Sequence, residues 1–270
     1  MVCPRPNPGA GLRLVCLPYS GGRASAFNAL AADLPGTVEL SALELPGHGR
    51  RLREVPCTRL RPLVEQVTEV VADGVREPFA LLGYSMGALL GYEVTRELAR
   101  RGLPGPRALF VAASRAPHLP PPDPPLHDLP RAVLVAQLLS LDGARNELLR
   151  NEELVDVMLP VLRADLAAVE TYAHEPGRPL GCPVVAFGGS TDATLARADL
   201  EAWGDHTTGG FTATFLAGGH FFLDTARAAF ARALTVELER LMGDSGSRAD
   251  ESAQYEKGTK EGNGVHHDPG

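Results

Sequence analysis

Short apolar runs recur along this chain at Leu12–Leu17, Phe79–Leu82, Ala108–Ala112 and Pro183–Phe187. Runs this brief and this hydrophobic read as strands buried on both faces, since a half-exposed strand would alternate polar and apolar positions. Further strands are expected at Val38–Leu43 and Phe211–Leu216. Between them the period changes to that of a helix, with Leu63, Val64, Val67, Val70 and Val71 falling on one face. Strands alternating with helices predict an α/β chain whose mostly parallel central sheet is flanked by helices on both sides.

The alternation breaks between about 114 and 180. His118-Leu119-Pro120-Pro121-Pro122-Asp123-Pro124-Pro125 can be neither helix nor central strand, because proline removes the backbone donor and fixes φ. Helical patterns follow over Ala132–Leu139, Glu152–Leu162 and Leu166–Tyr172. An insertion at about 118–178, between two core strands, would lie over the carboxyl edge of the sheet, and it is expected to form a helical lid there. Residues 243–270 are polar, glycine-rich and without apolar periodicity, and they are expected to be a disordered tail. The remaining 1–242 form one domain. His266 and His267 fall in the tail and suggest no metal site.

A length of 270 residues with 44% hydrophobic content suits one sizeable core. The formal net charge of −7 argues against nucleic acid as a partner. The amino terminus lacks the charged and apolar regions of a secretory signal, and no run approaches the length of a membrane span. Cysteines at 3, 16, 57 and 182 have no metal-ligand spacing, so reduced thiols and a cytoplasmic location are expected.

The candidate chemistry begins at Gly83-Tyr84-Ser85-Met86-Gly87. An apolar strand leads into this G-x-S-x-G pattern and a helix-forming stretch leaves it, which is the setting of a nucleophile elbow. Ser85 is the candidate nucleophile and needs a base oriented by a carboxylate. His220 follows a strand and two glycines, the setting of a loop histidine at a sheet edge. By contrast His118 and His127 belong to the proline-rich segment, His174 begins a loop and His206 lies in a polar turn. Asp192, just beyond the Val185–Phe187 strand, is the candidate acid; Asp199 and Asp205 suit solvated or capping positions. The other place where such folds carry the acid, Val111-Ala112-Ala113-Ser114-Arg115, has no carboxylate. The backbone N–H of Met86 and that of Tyr19 (alternatively Ser20) are the candidate oxyanion donors. A phosphate-cradling loop is excluded there, because no Gly-Lys-Ser/Thr follows Gly21-Gly22.

These motifs occur in order with Leu45-Pro46-Gly47-His48-Gly49-Arg50, Leu162-Arg163-Ala164-Asp165, Thr171-Tyr172 and Gly218-Gly219-His220-Phe221-Phe222-Leu223. Together they resemble the type II thioesterases of polyketide and nonribosomal peptide synthesis over about residues 12–242. The resemblance implies an α/β-hydrolase fold and a Ser85–Asp192–His220 triad. It also implies hydrolysis of unproductive acyl groups from the phosphopantetheine thiol of carrier proteins, with no cofactor or metal of the enzyme's own and a monomer free of membrane. Three positions depart from the family pattern: Tyr84 stands where histidine is common, Gly189-Ser190-Thr191-Asp192-Ala193 replaces Gly-Asp-x-Asp-Pro, and Ser20 replaces alanine. Carrier proteins are acidic, so docking calls for a basic patch, with Arg50, Arg51, Arg53, Arg59 and Arg61 as one candidate cluster and Arg96, Arg100 and Arg101 as another. Two alternatives are a carboxylester hydrolase on the same scaffold and a non-catalytic binding protein that keeps the fold.

Overall fold

Strands Leu12–Leu17 (β1), Val38–Ala42 (β2), Phe79–Tyr84 (β3), Leu109–Ala112 (β4), Val184–Gly189 (β5) and Phe211–Leu216 (β6) form one parallel sheet in the order β2-β1-β3-β4-β5-β6. The computed structural model describes residues 1–121, 124–140 and 152–260, with side chains described to residue 243. Its helices are Asn28–Asp33 (α1), Leu60–Gly74 (α2), Met86–Arg100 (α3), Arg131–Leu139 (α4), Glu152–Glu170 (α5), Arg197–Glu201 (α6), Phe222–Thr225 (α7) and Arg227–Lys260 (α8). This is the helix-flanked parallel sheet that the apolar pattern predicts, in the α/β-hydrolase form that the resemblance implies.

Burial on both faces explains why β3, β4 and β5 read as unbroken apolar runs and why β1 is apolar but for Arg13, which pairs with Glu39 at 3.0 Å. Along β1, Leu12, Leu14 and Cys16 enter one core with Leu30 of α1 and Phe230 and Leu234 of α8. The alternate residues Val15 and Leu17 enter a second core with Leu63 and Val67 of α2 and Leu90 of α3. Each such fully buried side chain contributes about 2 kcal/mol of transfer free energy. Val70 is an exception to the predicted α2 stripe: it lies at the edge of the buried arc and is 37% exposed.

Chain direction reverses across the sheet between β1 and β3. From β1 the chain moves outward to β2, then returns to the other side and steps through β3 to β6. The loops after β1 and β3 therefore diverge and leave a crevice at their carboxyl ends, where ligands of such sheets bind. Register places Leu17, the last residue of β1, beside Gly83 at the end of β3.

The insertion is helical, with α4 as expected, but Glu152–Leu162 and Leu166–Tyr172 are not separate helices. They merge into the single helix α5, which runs through Pro160. The apolar period fails at Arg163-Ala164-Asp165 because Asp165 is buried as a hydrogen-bonded polar group, so the pattern registers a break where the backbone continues. Residues 122–123 and 141–151 of the expected lid lie outside the described residues.

Around α5 the insertion is pinned by polar contacts. Glu170 accepts the N–H groups of Leu126 and His127 at 2.9 and 3.0 Å, and Arg163 donates to the carbonyl oxygens of His127 and Leu129. At the other end of the chain α8 is helical to Lys260, where the loss of apolar periodicity after Gly243 suggests disorder. Residues 261–270, His266 and His267 among them, lie outside the described residues.

Candidate active site

Ser85 occupies φ 52° and ψ −115°, a region that non-glycine residues rarely enter. The surroundings hold it there. Its N–H donates to Ala112 O at 2.7 Å, and its carbonyl accepts the Ala88 N–H at 2.9 Å. Both motif glycines are sterically required. A Cβ on Gly83 would stand 2.1 Å from Gly87 O and 2.4 Å from Ala88 Cα, and one on Gly87 would stand 2.1 Å from Leu17 O. The elbow is thus pressed against the end of β1, with its serine at the carboxyl edge of the sheet.

His220 Nε2 lies 3.3 Å from Ser85 Oγ, and His220 Nδ1 lies 2.8 Å from Asp192 Oδ2. An ionised carboxylate only accepts, so it fixes the proton on Nδ1 and leaves the Nε2 lone pair facing the serine hydroxyl. The other carboxylate oxygen, Asp192 Oδ1, accepts from the N–H and the hydroxyl of Thr194 at 2.9 and 2.7 Å. Burial alone would raise the Asp192 carboxyl. The hydrogen bond and charge of His220, together with the two Thr194 bonds, outweigh it and hold the group below its ordinary value.

The acid and histidine loops are locked together by their backbones. Ser190 N–H donates to Leu216 O at 2.7 Å and Thr191 N–H to Gly218 O at 3.0 Å. A Cβ on Gly189 would meet Gly219 O at 2.2 Å, so glycine is needed for the two loops to approach this closely.

After β1 the chain turns tightly, with Gly22 N–H donating to Tyr19 O at 2.7 Å and Gly21 at φ 67°. Gly21 N–H donates to Asp165 Oδ2 of α5 at 2.6 Å, and the same oxygen accepts from His48 Nε2 at 2.9 Å. His48 Nδ1 lies 3.0 Å from Pro46 O, so both ring nitrogens face acceptors. Burial opposes charge on this imidazole, but the hydrogen bond and charge of Asp165 and the Pro46 carbonyl prevail and raise its pKa above 6.5. Asp165 therefore ties the helical insertion to two loops at the carboxyl edge. Met86 opens α3, ahead of any intrahelical acceptor, so its N–H is a free helix-terminal donor beside Ser85.

The other histidines are elsewhere. His118, His174 and His206 gather with Tyr92, and His118 Nδ1 lies 2.6 Å from His206 Nε2; His127 pairs with Glu170. Among the described residues no group of three or more His, Cys, Asp or Glu side chains could hold a metal ion, and all four cysteines are free.

The structure separates the two arginine clusters. Arg96, Arg100 and Arg101 are engaged by Glu93, Glu97 and Glu69. Hydrogen bonds from Arg100, stronger than the opposing burial, and from Arg101 pull Glu97 down to about 2. In the first cluster Arg51 pairs with Glu54 and Arg61 with Glu65, but Arg50, Arg53 and Arg59 are exposed without an ion pair among the described residues. Arg59, Arg61, Arg96 and Arg100 line a cleft of about 440 Å³ that Ser85, Asp192 and His220 do not line.

Three polar contacts of the site escape the sequence reading: Thr194 on Asp192, Asp165 on Gly21 and His48, and Tyr84 on the histidine segment. Only the first has a local signal, since Asp-x-Thr spacing allows a carboxylate to bond a backbone N–H two residues on.

A parallel sheet carrying a strained serine elbow, a histidine and a buried carboxylate at its carboxyl edge defines a serine hydrolase of the α/β-hydrolase class. Within that class the chain belongs to the thioesterase family, for the Thioesterase domain profile matches residues 12–237. It is 38% identical to the Gramicidin S biosynthesis protein GrsT of Aneurinibacillus migulanus over 217 residues, covering 80% of this chain and 85% of that protein. Among solved structures it is similar to the RedJ thioesterase from the prodiginine biosynthetic pathway of Streptomyces coelicolor, with a TM-score of 0.81 and 42% identity over 84% of this chain and 91% of that one. It is also similar to the type II thioesterase BorB from the borrelidin biosynthetic cluster, with a TM-score of 0.80 and 36% identity over 89% of this chain and 96% of that one.

Proposed function

We propose that this protein is an editing, type II thioesterase that hydrolyses acyl groups from the phosphopantetheine arm of carrier proteins. The observation that carries the reading is the continuous line from Asp192 through His220 to Ser85, at 2.8 and 3.3 Å, on a family scaffold shared with BorB and RedJ.

In this scheme Ser85 Oγ attacks the thioester carbonyl as His220 Nε2 takes the hydroxyl proton. Asp192 keeps the imidazole in the required tautomer and stabilises its charged form, and Thr194 orients Asp192. The oxyanion receives the N–H of Met86 and that of Tyr19, with Ser20 N–H as the alternative second donor. Collapse breaks the C–S bond, and the thiol leaves with the proton held by His220. Water then gives a proton to His220 as it attacks the Ser85 ester, and collapse breaks the acyl bond to Ser85 Oγ, which takes that proton back as the acid leaves. No step calls on a cofactor or a metal.

The acidic carrier protein docks through Arg50 and Arg53, with Leu52 and Val55, which are 54% and 85% exposed, supplying apolar contact. Arg96, Arg100 and Arg101 are already neutralised by carboxylates and are poor candidates. The enzyme works as a cytoplasmic monomer, with the α4–α5 insertion as its lid. Among the described residues no helix is long and apolar enough to cross a membrane.

Matched acyl thioesters and oxyesters, with the thioester also presented on a carrier protein, test this function. Preferential turnover of the carrier-bound thioester is expected; equal or faster oxyester turnover would assign the site to a carboxylester hydrolase.

A further inference from the structure

Tyr84, the residue before the nucleophile, is fully buried. Its hydroxyl donates to the carbonyl oxygen of His220 at 2.5 Å and accepts the N–H of Leu223 at 3.3 Å. That N–H belongs to the first turn of α7, which has no intrahelical acceptor to offer it. One phenol thus grips the backbone on both sides of Phe221-Phe222, immediately after the histidine. Burial pushes the Tyr84 hydroxyl well above its ordinary range, so it stays protonated and able to donate.

The same ring packs between the loops of the site. Its centroid lies 5.7 Å from that of Tyr19 and 5.2 Å from that of Phe222, and Tyr19 in turn lies 5.3 Å from Phe221. On the amino-terminal side His220 is preceded by Gly218, at φ 134°, and Gly219, which have no side chains to anchor the loop. The side-chain anchor of the His220 backbone therefore comes from the elbow strand itself.

We infer that Tyr84 is a positioning residue that fixes His220 Nε2 opposite Ser85 Oγ by tying the histidine backbone to the elbow. Ser85 is its chain neighbour, so a shift of the elbow carries the base along and preserves the short contact between them. The inference rests on His220 being the base of the proposed reaction.

Steady-state kinetics of Tyr84→Phe, His220→Ala and the double variant, on one acyl thioester, test it. Tyr84→Phe keeps the ring and removes only the hydroxyl. It is expected to lower kcat about tenfold, the worth of one good hydrogen bond, with KM changed by less than about twofold. In the His220→Ala background it should cause no further loss, because its effect runs through the imidazole. The rate of Ser85 labelling by a fluorophosphonate, which needs no turnover, should fall in parallel. Unchanged kcat in Tyr84→Phe, or an equal loss in both backgrounds, would overturn the positioning role while leaving the triad intact. Wild-type turnover by His220→Ala would overturn the base assignment, and this inference with it.

Discussion

Thr194 holds Asp192 through both of its polar groups, the N–H at 2.9 Å and the hydroxyl at 2.7 Å from the same carboxylate oxygen. The hydroxyl also lies 3.2 Å from His220 Nδ1. This arrangement supplies the orientation that an acid loop with Ser190 and Ala193 in place of the first aspartate and the proline of the family pattern would otherwise lack. Thr194→Val keeps the shape and the N–H but removes the hydroxyl. It should lower kcat about three- to tenfold with little change in KM. Wild-type kcat in this variant would remove Thr194 from the account.

Asp165 joins His48 to Gly21, and the pair carries a pH signature. His48 has its folded-state pKa raised above 6.5, so folding favours its protonated form. The stabilisation is fully present below about pH 6.5 and is lost as pH rises through the raised value. The Tm difference between the wild type and His48→Gln should therefore be largest on the acid side and shrink with rising pH. A difference that grows with pH would contradict a charged His48. Asp165→Ala, which leaves a buried imidazole and the Gly21 N–H without their acceptor, should cost about 3 kcal/mol or more in denaturant unfolding.

The elbow glycines give a prediction about folding rather than chemistry. Gly87→Ala puts a methyl group 2.1 Å from Leu17 O, a backbone atom of a central strand that cannot yield cheaply. A loss of about 2 kcal/mol or more is expected, which for a domain of this size lowers Tm by roughly 4 °C or more. A variant with unchanged Tm would show that the β1 end and α3 are less tightly apposed.

For carrier-protein docking the charge pattern makes a differential prediction. Arg50→Glu with Arg53→Glu should reduce kcat/KM on an acyl-carrier protein about tenfold, while a small acyl thioester is turned over as before. The effect should weaken with added salt. Arg100→Glu, next to the neutralised Glu97 network, should not reproduce the differential loss. Equal losses on both substrates would count against docking at this loop.

Much of this molecule was legible before its structure. The buried strands announced themselves because central parallel strands packed on both faces are almost wholly apolar, and β1 and the half-exposed edge strand β6 start and end where they are expected to. The meeting of Ser85, Asp192 and His220 was legible because loops that follow strands of a parallel sheet converge at one edge, so order along the chain constrains place. What stayed hidden was polar and non-local. Asp165 meets Gly21 across 144 positions and Tyr84 meets His220 across 136, and no periodicity reports such a contact. The continuity of α5 was hidden for a related reason: a buried carboxylate looks like a solvated one in sequence. The choice between arginine clusters depended on which glutamates fold back onto them.

The central claim is that Ser85, activated by His220 and Asp192, attacks the thioester. Single-turnover hydrolysis of an acyl-carrier protein by Ser85→Ala tests it most directly. The account predicts that the rate falls by on the order of 10⁴ or more, with no acyl group on the protein by intact mass, while carrier binding persists. Retention of most of the wild-type rate, or an acyl adduct formed without Ser85, would contradict it.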